Sequence, residues 1–144
     1  MNDQRTGRDV DVLELLDLRI PAESAGVAEA ADKVTETLTR LSVPEEKRLV
    51  IGLAVQEALA NAVVHGCGND PSKEVRCQVK TNPIGLVLII VTDPGPGFTS
   101  ELLPDPSQQE SLQMDHGRGV YLIRQLMDEV QFVNGGNEIR MWKY

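Results

Sequence analysis

Glu57, Asn61 and His65 stand four residues apart in the stretch V-Q-E-A-L-A-N-A-V-V-H-G, Val55 to Gly66. A carboxylate can take a proton as a general base. An amide oxygen is a neutral ligand suited to Mg²⁺, which keeps waters and phosphate oxygens around it and needs few protein ligands. An imidazole can orient its neighbours or meet a phosphate. Further on, Asp93-Pro94-Gly95-Pro96-Gly97-Phe98 follows an aliphatic run. An Asp at the end of a strand can accept a hydrogen bond from a ligand amine, and glycines let backbone approach a ligand closely. His116-Gly117-Arg118-Gly119 then opens a helical pattern. Free N–H groups at a helix N-terminus form a phosphate cradle, and Arg118 adds a cation. Each stretch also has a plainer reading. The polar trio fits a solvated stripe, the Asp93 segment a turn, the Gly117 segment a glycine-rich start to a helix. His65 equally suits a helix-end imidazole bonded to a carbonyl.

These residues need elements to hold them. Four residues turn a helix by about 400°, so Glu57, Asn61 and His65 drift by only ~40° per step and project from one side. That helix begins at Pro44-Glu45-Glu46, a good first turn, and stops near Gly66. Ahead of it, Leu16, Leu18 and Ile20 alternate with Asp17 and Arg19, which predicts a strand over 10–20. Ser24 caps a helix to about Leu41, with Val27, Ala31, Val34, Leu38 and Leu41 inward. After a loop over 66–73, Glu74–Thr81 alternates as a strand, Asn82–Gly85 turns, and Leu86–Thr92 is a central strand. Residues 93–119 are loop-like, long enough to be functional. A helix over 119–130, with Val120, Ile123, Leu126 and Met127 inward, precedes a closing hairpin. The expected fold is α+β: a two-layer α/β sandwich with a mixed, mostly antiparallel sheet and helices on one face. A polar N-terminus at 1–9 precedes a single domain at 10–144.

The 144 residues carry 14 Lys+Arg against 22 Asp+Glu, a net charge of −8. Neither nucleic acid nor an anionic membrane suits such a chain as main partner, because both need a cationic face. A nucleotide needs only a local positive site. Aromatic residues make up 3% of the chain, so the core must be aliphatic. Cys67 and Cys77 have no metal-ligand spacing. No uninterrupted apolar run reaches the ~18 residues of a membrane span, and no signal peptide is evident. A cytoplasmic location is expected.

The order E-x-x-x-N-x-x-x-H, then D-x-G-x-G-F, then a loop, then G-x-G opening a helix resembles the three sequence boxes of the GHKL ATPase superfamily. Within it, the chain is most similar to the bacterial anti-sigma-factor serine kinases, over roughly Leu13 to Trp142. Gly117–Val130, G-R-G-V-Y-L-I-R-Q-L-M-D-E-V, is similar to theirs throughout. The resemblance implies the Bergerat-type sandwich, with ATP and Mg²⁺ as cofactors. It implies Glu57 as general base, Asn61 as the Mg²⁺ ligand and Asp93 as the contact to the adenine amine. Gly95 and Gly97 would shape the adenine pocket, residues 99–116 would be the ATP lid, and Gly117 and Gly119 would offer N–H groups to the phosphates. The implied partners are a sigma factor or other regulatory protein and a small antagonist protein, phosphorylated on Ser or Thr; a homodimer is also possible. One departure stands out. Kinases of this type often carry a basic residue in the lid, but no Lys or Arg lies between Asp93 and Gly117. The alternative reading is therefore a nucleotide-gated interaction module without efficient kinase activity.

Overall fold

A computed structural model describes residues 13–95, 115–133, 135 and 137–144, with 115–118 as backbone only. The expected N-terminal tail, Gly97 and nearly all of the expected lid lie outside the described residues. The elements run β1 (Leu13–Pro21), α1 (Ser24–Arg40), α2 (Glu45–Asn61), β2 (Glu74–Thr81), β3 (Val87–Thr92), α3 (Asp115–Leu126), β4 (Glu129–Val133) and β5 (Glu138–Lys143). The five strands form one sheet in the order β1-β2-β3-β5-β4, and every pairing is antiparallel.

Alternation along the strands builds two faces. Leu16, Val79, Ile89, Met141 and Val130 are successive cross-strand neighbours. So are Leu18, Cys77, Val91, Ile139 and Phe132. These two rows join one core with Ala31, Val34 and Leu38 of α1, Ile51, Val55 and Leu59 of α2, and Ile123 of α3. Leu88, Ile90 and Trp142 point the other way and form a separate buried group with Leu86. The helices thus cover one face of the sheet, as expected for two layers. With so few aromatic residues, the fit depends on Val, Ile, Leu and Ala side chains interdigitating across that single interface.

Boundaries differ in places, each for a local reason. Ser24 is the first residue of α1 rather than its cap; the N-cap is Glu23, in extended conformation and without a side-chain capping bond. Pro44 is the N-cap of α2, so the acids Glu45 and Glu46 fill the first turn. Leu41 lies beyond the end of α1 and is 42% exposed. The helix expected over 119–130 runs instead from Asp115 to Leu126, and Val130 belongs to β4. The sheet decides this. Asp128 N–H donates to Trp142 O at 2.9 Å, and Lys143 Nζ donates to Leu126 O at 3.0 Å. These bonds end the helix and start the β4–β5 pairing.

The segment from Glu45 to Gly66 is long and apolar enough to cross a membrane by length and composition, although no uninterrupted apolar run is that long. Here α2 lies between α1 and α3 and buries Ile51, Ala54, Val55, Ala58 and Leu59 in the core. Its apolar character serves that central position.

Candidate functional site

The helix that carries Glu57 and Asn61 does not end as an α-helix. Ala62–Gly66 widens into a π turn, in which Cys67 N–H reaches back five residues to Ala62 O at 2.9 Å. Asn69 N–H then bonds Val63 O at 2.9 Å, and Gly68 and Asn69 both adopt left-handed φ near +60°, at +61° and +59°. π turns are rare and are frequently found at functional sites. The widening takes His65 out of the uniform helical stripe that the sequence suggests. His65 nevertheless shares a cleft with Glu57 and Asn61. The cleft is about 400 Å³ and is also lined by Ala60, Val64, Gly119 and Leu122.

Gly119 closes that cleft from α3. A Cβ at this position would lie 2.8 Å from Asn61 Nδ2 and 3.2 Å from Glu57 Oε2. A side chain here would require the Asn61 amide to move aside and the Glu57 carboxylate to give slightly. Since α3 starts at Asp115, Gly119 lies one turn inside the helix, where a backbone N–H ordinarily pairs with the carbonyl four residues earlier. Gly119 therefore brings space to the site; the N–H groups that an α-helix leaves without an intrahelical partner are those of its first turn, which here holds Gly117. Arg118 lies in the same turn.

Asp93 is off the lining of this cleft, but it packs against Gly66, the residue after His65. A Cβ on Gly66 would collide with the Asp93 carboxyl group. Gly95 N–H donates to Asp93 Oδ1 at 2.7 Å, and Asp93 N–H donates to Asn137 O at 2.9 Å. Burial pushes the Asp93 carboxyl above its ordinary range, against the opposing pull of the Gly95 hydrogen bond. The consequence for stability has a definite sign. A carboxyl with a raised folded pKa stabilises the fold most at low pH and loses that contribution as pH rises from its unfolded value through its folded one. At pH 7 the buried charge is a net penalty. Asp93→Asn keeps an acceptor for Gly95 and removes the charge, so it should raise the nucleotide-free melting temperature at pH 7 and flatten the acid-side pH dependence. Thermal denaturation across pH 4–7 checks this; a lower melting temperature for the variant at pH 7 would contradict it.

Cys67 and Cys77 are unreactive by environment. Cys67 is 2% exposed, and burial raises its pKa, with Asp93 adding to the effect. Cys77 is in the core, its pKa pushed up to about 12 by burial. A thiol that stays protonated is a poor nucleophile. Among the described residues no group of three or more His, Cys, Asp or Glu could hold a metal ion. Mg²⁺ beside substrate phosphates is held by few protein groups, usually carboxylates, and an asparagine such as Asn61 can serve as one of them. The open cleft, and the volume left beside Asn61 by the missing Cβ of Gly119, fit such a group.

The sequence marks Gly66 only as a helix stop; its close contact with Asp93 is visible only in the fold.

An antiparallel sheet under three helices, with a polar cleft between the central helix and a glycine-rich helix start, is the architecture of a histidine kinase-like ATPase domain. Residues 20–143 match that family, and the chain belongs to it. Its curated relatives include the serine-protein kinase RsbW of Bacillus velezensis, 29% identical over 139 residues, covering 92% of this chain and 86% of that protein. The protein of the same name from Bacillus subtilis is 28% identical over 138 residues, covering 91% and 86%. Among solved structures, the histidine kinase domain from the Erythrobacter litoralis EL346 blue-light-activated histidine kinase shares the fold. Its TM-score is 0.53 at 22% identity, over 85% of this chain and 59% of that one.

Proposed function

We propose that the protein binds Mg-ATP and transfers phosphate to a serine or threonine of a partner protein. The observation that carries this reading is the convergence of Glu57, Asn61 and Gly119 on one cleft. The names of its relatives, serine-protein kinases, agree with it. Glu57 would take the proton of the incoming hydroxyl. Asn61 would hold Mg²⁺, which when bound offsets charge on the phosphates. Asp93 would accept from the adenine amine, with the Gly95 N–H holding its carboxylate, and Gly95 and Gly97 would shape the adenine pocket. Gly117 would offer backbone to the phosphates, and Arg118 a positive charge near them. His65, on the cleft wall, would orient the phosphate side. The partner proteins of this reading are a sigma factor or comparable regulator and a small antagonist protein that receives the phosphate, in the cytoplasm.

A second reading has a specific observation behind it. No Lys or Arg occurs from residue 94 to 116, so the segment expected to fold over the γ-phosphate brings no cation of its own. A nucleotide-gated binding module without efficient transfer would have this composition. Incubation with γ-labelled ATP and a candidate antagonist separates the two. Phosphoserine or phosphothreonine on the antagonist supports the kinase; ATP-dependent complex formation without label supports the module.

Gly119→Ala tests the geometry of the cleft. Its Cβ must displace the Asn61 amide or the Glu57 carboxylate, and misplacing such groups by an ångström can cost about a hundredfold in rate. Mg-ATP affinity measured by calorimetry, and phosphate transfer, should both fall, by roughly tenfold to a hundredfold. Wild-type values for this variant would mean that Asn61 and Glu57 do not act from where they stand.

A further inference from the structure

We infer that Gly66 is a positioning residue that sets nucleobase specificity, by seating the Asp93 carboxylate on a backbone that has no side chain. This rests on the proposed binding of an adenine nucleotide. Three features of the fold meet at this point. Gly66 closes the π turn, and its backbone lies against the strand end that carries Asp93. The three atoms nearest to a Cβ at position 66 are all in the Asp93 carboxyl group, and both its oxygens would be 2.5 Å away. Gly95 shares the junction: a Cβ there would collide with Gly66 O and would sit 2.9 Å from Asp93 Oδ1. The carboxylate is thus packed against Gly66 and fixed by the Gly95 N–H at Oδ1.

The constraint at Gly66 is one of space. Its φ is outside the left-handed region, so its backbone conformation is open to alanine. A methyl group there meets the very carboxyl group whose direction matters. Cys67, buried directly after it, and the Cys67 N–H bond to Ala62 O hold the turn in place, so the side chain that must yield is Asp93. A shifted carboxylate stays at the end of β3 but no longer faces the exocyclic amine of the base.

The experiment compares ADP with IDP, which carries a carbonyl oxygen where adenine carries the amine. A correctly seated carboxylate accepts from the amine and repels the carbonyl. Wild type should bind ADP at least about tenfold more tightly than IDP, the scale of a hydrogen bond to a charged group. Gly66→Ala should lose that ratio through weaker ADP binding, with IDP binding little changed. A general loss of structure would lower both affinities together. Melting temperatures without nucleotide give the independent reading, available even if Gly66→Ala folds poorly. Gly66→Ala should lower the melting temperature clearly in the wild-type background and far less in the Asp93→Ala background, since the three nearest atoms are then gone. An unchanged ADP:IDP ratio in Gly66→Ala, or an equal thermal penalty in both backgrounds, overturns the inference and leaves the proposed ATP site standing. Failure of the wild-type protein to bind ADP overturns both.

Discussion

Asp93→Ala should abolish the thermal stabilisation that Mg-ATP confers on the wild-type protein. A ligand that binds only the folded state raises stability by about 2.7 kcal/mol at a hundredfold excess over Kd, which for a domain of this length is roughly 10 °C in melting temperature. The variant should show a shift near zero at the same nucleotide concentration. The reason lies in how the carboxylate is held. It sits at the end of the central strand β3, half-buried, with its backbone tied to Asn137 and one oxygen tied to Gly95. An acceptor fixed in this way by the protein needs no reorganisation to meet a donor. The same burial that makes it costly to ionise makes its hydrogen bond to a ligand strong. Two outcomes would count against the reading. If Mg-ATP leaves the wild-type melting temperature unchanged, there is no nucleotide site. If Asp93→Ala keeps the full shift, the base is read elsewhere.

Glu57→Gln should separate binding from transfer. The substitution keeps the shape and a hydrogen-bonding head at the cleft wall but removes the base. General-base catalysis contributes about 10²–10⁴-fold, so phosphate transfer to the partner should fall by that order while ATP affinity stays within a few-fold of wild type. Glu57 and Asn61 lie one helical turn apart on α2, both close to Gly119 across the cleft. A hydroxyl that reaches a phosphate held beside Asn61 is therefore within range of the Glu57 carboxylate. Single-turnover assays with labelled ATP, beside calorimetric titration, measure the two quantities separately. Transfer at the wild-type rate by Glu57→Gln would remove Glu57 from the role of base.

The two experiments also arbitrate between the kinase and the nucleotide-gated module. Both readings predict the loss of the thermal shift in Asp93→Ala. Only the kinase reading predicts a measurable wild-type transfer rate for Glu57→Gln to lower. The acidic balance of the chain, −8, and its cation-free segment from 94 to 116 leave Arg118 as the nearest positive residue in sequence to the expected phosphate position.

Much of this architecture is legible in the chain itself, because local periodicity and burial coincide. The run Val75, Cys77, Val79 alternates and is fully buried on alternate positions; Leu88 and Ile90 interleave with Val87, Ile89 and Val91 and divide between the two faces of β3. The spacing of Glu57 and Asn61 on a helix, and the order of the three polar stretches, likewise need nothing beyond the sequence. What periodicity cannot express is distance between segments remote in the chain. That α3 stops at Leu126 depends on hydrogen bonds from β5, which follows it by more than ten residues. That Gly119 stands against Asn61, and Gly66 against Asp93, depends on how two helices and a strand end pack together. A glycine in a sequence announces freedom of the backbone; only the packed fold reveals that here two glycines matter for the atoms they lack. The π turn at Ala62–Gly66 belongs to the same class: π turns are rare, and the spacing of this stretch reads as one continuous α-helix.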